Sequence, residues 1–401
     1  MSSKTRFVGK LTAKVLTIIF IVGLTLISFQ INFHPPIAGR AGASSISAPT
    51  SGSTRWGLET LKAKDAWEIT QGSDEVVVAV IDSGIDGSIP ALEDKMWEND
   101  DEVPRDGKDN DGNGYVDDVS GWDFRDDGQL GELEGSLHYH GTFVSGLVSS
   151  SYDNETGSGG VAPNVSIMDL RFLDSAGRFY TSDWGKLADA IDYAVENGAD
   201  IINMSIYANV KPPELVHEAL RRAQSEGILV IGISGNNGER LGYFGKWKEV
   251  FTVGSVNKSG KVSSFSNYGP ELELVAPGAD VLSYRPGGNL ATGSGTSFAA
   301  PHVAGTAALI LSKRPQVNLS ELKQTLRESA RDVGKSGKDE SAGYGLIDAN
   351  ESLGEITGTE DTNVTDTQRD EPDKVDKTYE NPDIGTIRTT DGRNFRTSRD
   401  I

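Results

Sequence analysis

Between residues 55 and 353 short continuous apolar runs alternate with amphipathic stretches. The run 76–81 (VVVAVI) is rich in β-branched residues and has no polar face, the pattern of a strand covered on both sides. Runs of the same kind lie at 165–170, 201–204, 228–233 and 250–253. Between them, apolar residues recur at helical spacing over 142–149, 184–197 and 213–226. Strands that alternate with helices predict right-handed crossovers and a parallel sheet. The fold class expected is therefore α/β, a three-layer, doubly wound, mostly parallel β-sheet with helices on both faces. Such sheets carry their chemistry in loops beyond the carboxyl ends of the strands.

Both ends of the chain break this pattern. Lys4, Arg6, Lys10 and Lys14 precede the apolar run 15–29, and Ala41-Gly42-Ala43 offers a small-residue cleavage site. Residues 1–43 thus read as a signal peptide or signal-anchor, which predicts a secreted or extracytoplasmic protein. Membrane attachment is the alternative, because the apolar stretch approaches the length of a tilted span. Residues 44–54 are rich in Ser, Gly, Thr and Pro and read as a linker. The globular domain that would carry any chemistry is expected over 55–354. Residues 355–401 hold few large apolar groups and predict a polar, disordered tail.

Composition narrows the function classes. The chain has 401 residues, no cysteine and a formal charge of -21. Disulfides, thiolate metal sites and cysteine nucleophiles are excluded. The negative field argues against a nucleic-acid partner and leaves carboxylates available for divalent cations. No internal repeat is evident, and the chain is expected to act as a monomer.

Three segments place a reactive side chain at the end of an element. Asp82 closes the buried run in Ile81-Asp82-Ser83-Gly84, His140 opens an amphipathic helix in His140-Gly141-Thr142, and Ser297 precedes the helix expected over 303–311. Each has a bland reading, as a turn, a solvated helix start or an N-cap. Together they suit one mechanism. A serine hydroxyl becomes a nucleophile when an imidazole takes its proton, and a carboxylate fixes that imidazole's tautomer. The chain order Asp, His, Ser is that of one known triad arrangement.

The segments VVVAVIDSGID, HGTFVSG, ISGNNG and GTSFAAPHVAG resemble the motifs of subtilisin-like serine proteases, and the resemblance runs from about residue 56 to 353. It implies a serine endopeptidase acting on polypeptide substrates through an acyl-enzyme, with Asp82, His140 and Ser297 as triad and Asn236 as oxyanion donor. It further implies a substrate strand held between Arg178-Phe179-Tyr180 and Ser205-Ile206-Tyr207, with Gly235 and Gly242 lining the specificity pocket. Relatives usually carry glycine where Tyr207 stands, so narrowed subsites and selective cleavage are expected. A non-catalytic peptide-binding module on the same fold would lack a triad member, and none is missing. A lipase-type hydrolase would need its serine first in chain order.

A metal site is expected in the stretch 109–118 (DNDGNGYVDD). Oxygens of Asp109, Asp111, Asn113, the Tyr115 carbonyl and Asp117 fall at loop positions 1, 3, 5, 7 and 9 of a calcium loop. Position 12 is Ser120, so the loop lacks its bidentate glutamate. It is similar to the aspartate-rich insertion of calcium-dependent subtilases, and structural calcium is the expected cofactor. A second loop, around Asn154, resembles the family's common calcium loop, but Ala91 replaces a ligating aspartate. Residues 44–54 are too few for the folding-assisting propeptide that subtilases usually carry, so folding is expected to proceed with calcium or with a separate helper.

Overall fold

The computed structural model describes residues 35–42, 45–49, 56–130 and 137–354. All of them lie in one compact unit, 1–356. The apolar run 15–29 and the polar tail fall outside the described residues, and among those described no helix is long and apolar enough to cross a membrane.

In chain order the elements are β1 (Ile37–Ala41), β2 (Ser45–Ser47), α1 (Trp56–Thr60), α2 (Ala63–Trp67), β3 (Val77–Asp82) and β4 (Gly121–Asp123). Then come α3 (Tyr139–Ser149), β5 (Ser166–Arg171), β6 (Arg178–Tyr180), α4 (Trp184–Glu196), β7 (Ile201–Met204) and β8 (Ile206–Ala208). The chain continues through α5 (Glu214–Ser225), β9 (Leu229–Ile233), β10 (Val250–Val256), β11 (Leu272–Pro277), β12 (Val281–Tyr284) and β13 (Leu290–Ser294). It closes with α6 (Thr296–Lys313), α7 (Leu319–Glu328) and α8 (Ala349–Leu353).

Seven strands form the central sheet in the order β11-β10-β9-β7-β3-β5-β4, and every pairing is parallel. All six residues of β3 are buried. Val78 and Val80 pack with α3 and α6 residues such as Phe143 and Phe298, while Val77, Ala79 and Ile81 pack with α4 and α5 residues such as Ile191 and Leu220. A strand with a core on each face needs no polar side, which is why its sequence shows no alternation. The three-layer α/β expectation holds.

β3 is flanked by β5 on one side and β7 on the other, so the strand order reverses at its carboxyl end. That crevice is where an open α/β sheet places a ligand. Asp82 is the last residue of β3.

Two small sheets border this crevice, and both include chain that the sequence placed before the catalytic domain. β1 pairs antiparallel with β6 and with β8, and β2 pairs antiparallel with β13. A Ser/Gly/Thr/Pro-rich composition predicts a linker over 44–54, yet Ser45–Ser47 is a strand because β13 offers it a free edge. Residues 35–42, read as the end of a leader, likewise form part of this unit.

Candidate active site

Asp82 and His140 come together because two backbones can touch. A Cβ on Gly141 would run into the Gly84 carbonyl, so glycine there lets the start of α3 sit on the loop after β3. Ser83 locks the junction: its hydroxyl donates to the His138 carbonyl at 3.0 Å and accepts from Gly141 N at 3.0 Å. His140 Nδ1 then lies 2.9 Å from both carboxylate oxygens of Asp82. Both side chains are buried. A proton on Nδ1 shared with the carboxylate leaves the lone pair on Nε2, the state of a general base.

Ser297 is the second residue of α6, and the helix around it departs from regularity at Pro301. A proline has no N–H for the carbonyl four residues earlier, which is that of Ser297. Ser205 Oγ supplies the missing donor at 2.9 Å, and is itself held by Asn203 Nδ2 at 2.9 Å. The Ser297 hydroxyl donates to the Ser205 carbonyl at 3.1 Å, and His140 Nε2 makes no hydrogen bond here. The serine–histidine link is therefore not closed in this arrangement.

Asn236 follows β9. Its Oδ1 accepts from Thr296 N at 2.7 Å and from Thr296 Oγ1 at 3.0 Å. Two donors on the oxygen fix the amide orientation and aim Nδ2 at the region before Ser297. The turn depends on Gly235, whose φ of 111° few side chains tolerate. Asn267, fully buried, braces the same turn by accepting from Asn237 N at 2.9 Å and Glu239 N at 3.1 Å. Sequence reading missed Asn267, because an Asn in a Ser-Asn-Tyr-Gly turn carries no sign of a partner so distant in the chain.

The residues expected to hold a substrate strand are assembled as two strands with a gap of one strand between them. Phe179 is buried against Phe172 and Trp184, with ring centroids at 5.0 and 5.1 Å, while Arg178 stays exposed. The Tyr207 ring lies across Gly235 and Gly242, where a Cβ would come within 2.7 and 2.6 Å of it. Tyr207 thus fills space between the two glycines expected to line a pocket.

Behind Asp82, the Asp169 carboxyl on β5 accepts from Ile85 N at 2.9 Å. Burial, aided by Asp123 and Asp82, pushes its pKa up to about 8. Burial also pulls the His138 imidazole below its ordinary range.

The metal loop is only partly as expected. Asp109 and Asp111 converge, with Glu102 as the third acid. Glu102 stands upstream of the loop spacing and escaped the sequence reading. It is 6% exposed, its Oε1 caps Asn110 N at 2.7 Å, and its buried Oε2 has no partner. Asp117 turns elsewhere: its carboxylate accepts from Asp106 N and Gly107 N, both at 3.0 Å, and from Gln129 at 2.9 Å. Asn113 Nδ2 donates to Asp111 and Asp118, each at 2.9 Å, and the Tyr115 ring packs on Trp122, Phe124 and Tyr193. Three converging acids, with one buried oxygen that has no hydrogen-bond partner, suit a hard, oxygen-seeking cation. In the second loop, the Ala91 carbonyl is engaged by Ser151 N at 3.0 Å.

Comparisons with known proteins identify the family. Residues 73–345 match the profile of the subtilase family. The chain is 35% identical over 284 residues to the thermophilic serine proteinase of Bacillus sp. strain AK1, covering 71% of this chain and 63% of that protein. It is 36% identical over 317 residues to the intracellular serine protease of Paenibacillus polymyxa, covering 76% and 88% respectively. Other relatives are proteases named as extracellular. The crystal structure of a lanthipeptide protease superposes with a TM-score of 0.61 at 26% identity, over 74% of this chain and 93% of that one.

Proposed function

The chain belongs to the subtilase family, and from that premise we propose that it is a serine endopeptidase in which Ser297, His140 and Asp82 form the triad. The observation that carries this reading is the buried pair in which His140 Nδ1 meets both oxygens of Asp82 at 2.9 Å, at the carboxyl end of the central strand. Ser297 attacks the scissile carbonyl while His140 Nε2 takes its proton, and the imidazolium then protonates the leaving amine. Asn236 Nδ2 and the Ser297 N–H, near the start of α6, meet the developing oxyanion. Water releases the acyl group through the same base.

Polypeptide substrates bind as an added strand between β6 and β8. Tyr207 restricts the pocket beside Gly235 and Gly242, which supports selective cleavage. Calcium is the cation proposed for the Glu102, Asp109 and Asp111 cluster. Its role is structural, drawing the loop onto the Tyr115–Tyr193 aromatic packing. The cationic start and apolar run of residues 1–43 support export.

Activity-based labelling tests the nucleophile. A fluorophosphonate probe is expected to modify Ser297 stoichiometrically in the full chain, and His140→Ala is expected to abolish the labelling. No label on the unaltered chain would overturn the protease reading. Mass-spectrometric profiling of cuts in a peptide library then reads the selectivity.

A further inference from the structure

β5 reads SIMDLR, and Asp169 in its middle is a buried acid. It stands opposite Val80 in the β3–β5 pairing, so it shares a face of the sheet with Asp82, two residues further along β3. Its Oδ2 accepts from Ile85 N at 2.9 Å, while its Oδ1 is buried with no hydrogen-bond partner. The Arg171 guanidinium is committed elsewhere: its Nη1 donates to Asp123 and, at 2.6 Å, to Asp126. The other charged neighbours, Asp82 on β3 and Asp123 on β4, are acids, and His140 and His138 on α3 face Asp82. A buried carboxyl among acids keeps its proton, and burial accordingly pushes the pKa of Asp169 up to about 8.

The turn that follows Asp82 is pinned on two sides. Toward α3, Ser83 bridges the His138 carbonyl and Gly141 N, and Asp86 N donates to Thr142 Oγ1 at 3.0 Å. Toward β5, the anchor is the bond from Ile85 N to Asp169. Gly84, between these anchors, has a φ of 86°, and a Cβ on it would come within 3.0 Å of the Arg171 side chain. Ile85 is itself buried, so its N–H would be costly to leave without an acceptor. Without Asp169 the turn must move to find one. That movement passes through Ser83 and Gly84 to the 2.9 Å contacts between Asp82 and His140.

We propose that Asp169 is a positioning residue for the triad: by holding Ile85 N it fixes the far end of the turn that carries Asp82 to His140. This rests on the protease reading above and adds to it a residue that touches no substrate. Asp169 does this as a neutral acid. A carboxylate would also accept from Ile85 N, but its charge beside Asp82 would make the imidazole hold its proton more tightly. The neutral form supplies the bond without that charge, and leaves Asp82 as the anion that orients His140.

The test uses the full chain and reads the rate at which a fluorophosphonate probe labels Ser297, followed as a function of pH, with circular dichroism to establish folding. Asp169→Asn keeps an oxygen for Ile85 N and carries no charge. It is expected to label at the parental rate, with the acid limb of the pH profile unmoved. Asp169→Leu keeps the size but offers no acceptor, and its rate is expected to fall roughly tenfold to a hundredfold, the scale of a small misplacement of reacting groups. Asp169→Ala is a second acceptor-free variant with the same expectation, and the asparagine result stands whether or not these two fold. A folded acceptor-free variant that labels at the parental rate overturns this inference and leaves the protease reading standing. So does an asparagine variant that labels as slowly as the leucine one, or whose acid limb moves to lower pH, the mark of a charged Asp169 in the parent. An unaltered chain that takes no label overturns both.

Discussion

Ser205 and Ser297 exchange two hydrogen bonds: Ser205 Oγ donates to the Ser297 carbonyl at 2.9 Å, and Ser297 Oγ donates to the Ser205 carbonyl at 3.1 Å. The first bond exists because Pro301, a turn further along α6, cannot provide its own N–H. A break in helical bonding thereby becomes a tie between the backbone of the proposed nucleophile and the wall of the proposed substrate groove.

That relationship predicts a coupled pair. Ser205→Ala strands a buried acceptor and is expected to cost about 1–3 kcal/mol of stability. In a Pro301→Ala background the restored N–H can serve the Ser297 carbonyl, so the same replacement should cost much less. Denaturant unfolding of the four proteins measures the coupling. Additive losses would show that Ser205 does not stand in for the absent N–H.

Asn236 has a structural role to separate from its proposed oxyanion role, because its Oδ1 holds Thr296 N and Oγ1. Asn236→Ala is expected to lower kcat about a hundred- to a thousandfold with little change in KM. Asn236→Asp keeps the acceptor for Thr296 but loses the amide donor. It should therefore retain the melting temperature and still lose the turnover. Normal turnover in the aspartate variant would remove Asn236 from the oxyanion role.

Asp169 gives a pH signature. Its folded pKa, pushed up to about 8 chiefly by burial, exceeds the ordinary 3.8 of an aspartate. Between those values the folded chain holds a proton that the unfolded chain has released, so this group's contribution falls as pH rises through the window. It is full below about 4 and lost once pH passes the folded value. Asp169→Asn, a neutral mimic, is expected to gain stability relative to the parent from pH 4 to pH 8. The difference between the two unfolding curves isolates this group from the other carboxylates. A constant difference across the window would mean that Asp169 is ionised in the folded chain.

Glu102 gives a test of the proposed calcium site. Calcium added to chelator-treated protein should raise the melting temperature, by the equivalent of about 2.7 kcal/mol at a hundred times its dissociation constant. Glu102→Gln should abolish most of that rise, and Asp117→Asn should leave most of it, since the Asp117 carboxylate faces Asp106, Gly107 and Gln129. An unchanged melting temperature on adding calcium to the parent protein would dispose of the site.

Much of this chain was legible before folding. The strand patterns from 76–81 onward report a core on each face, a property each residue carries locally, so the α/β class and the position of Asp82 at a strand end follow from sequence. The motifs likewise mark His140, Ser297 and Asn236 as candidates, because the proposed chemistry needs particular side chains beside particular glycines, such as Gly141 against Gly84. What folding alone decides is who occupies a free backbone edge. Strand pairing uses N–H and C=O groups that nearly every residue possesses, so nothing in Ile37–Ala41 announces that it will lie between β6 and β8. The same holds for Glu102, whose carboxylate reaches the Asp109–Asp111 loop by the path of the chain and not by motif spacing. Local chemistry is written residue by residue; proximity between distant backbones emerges only when the chain closes on itself.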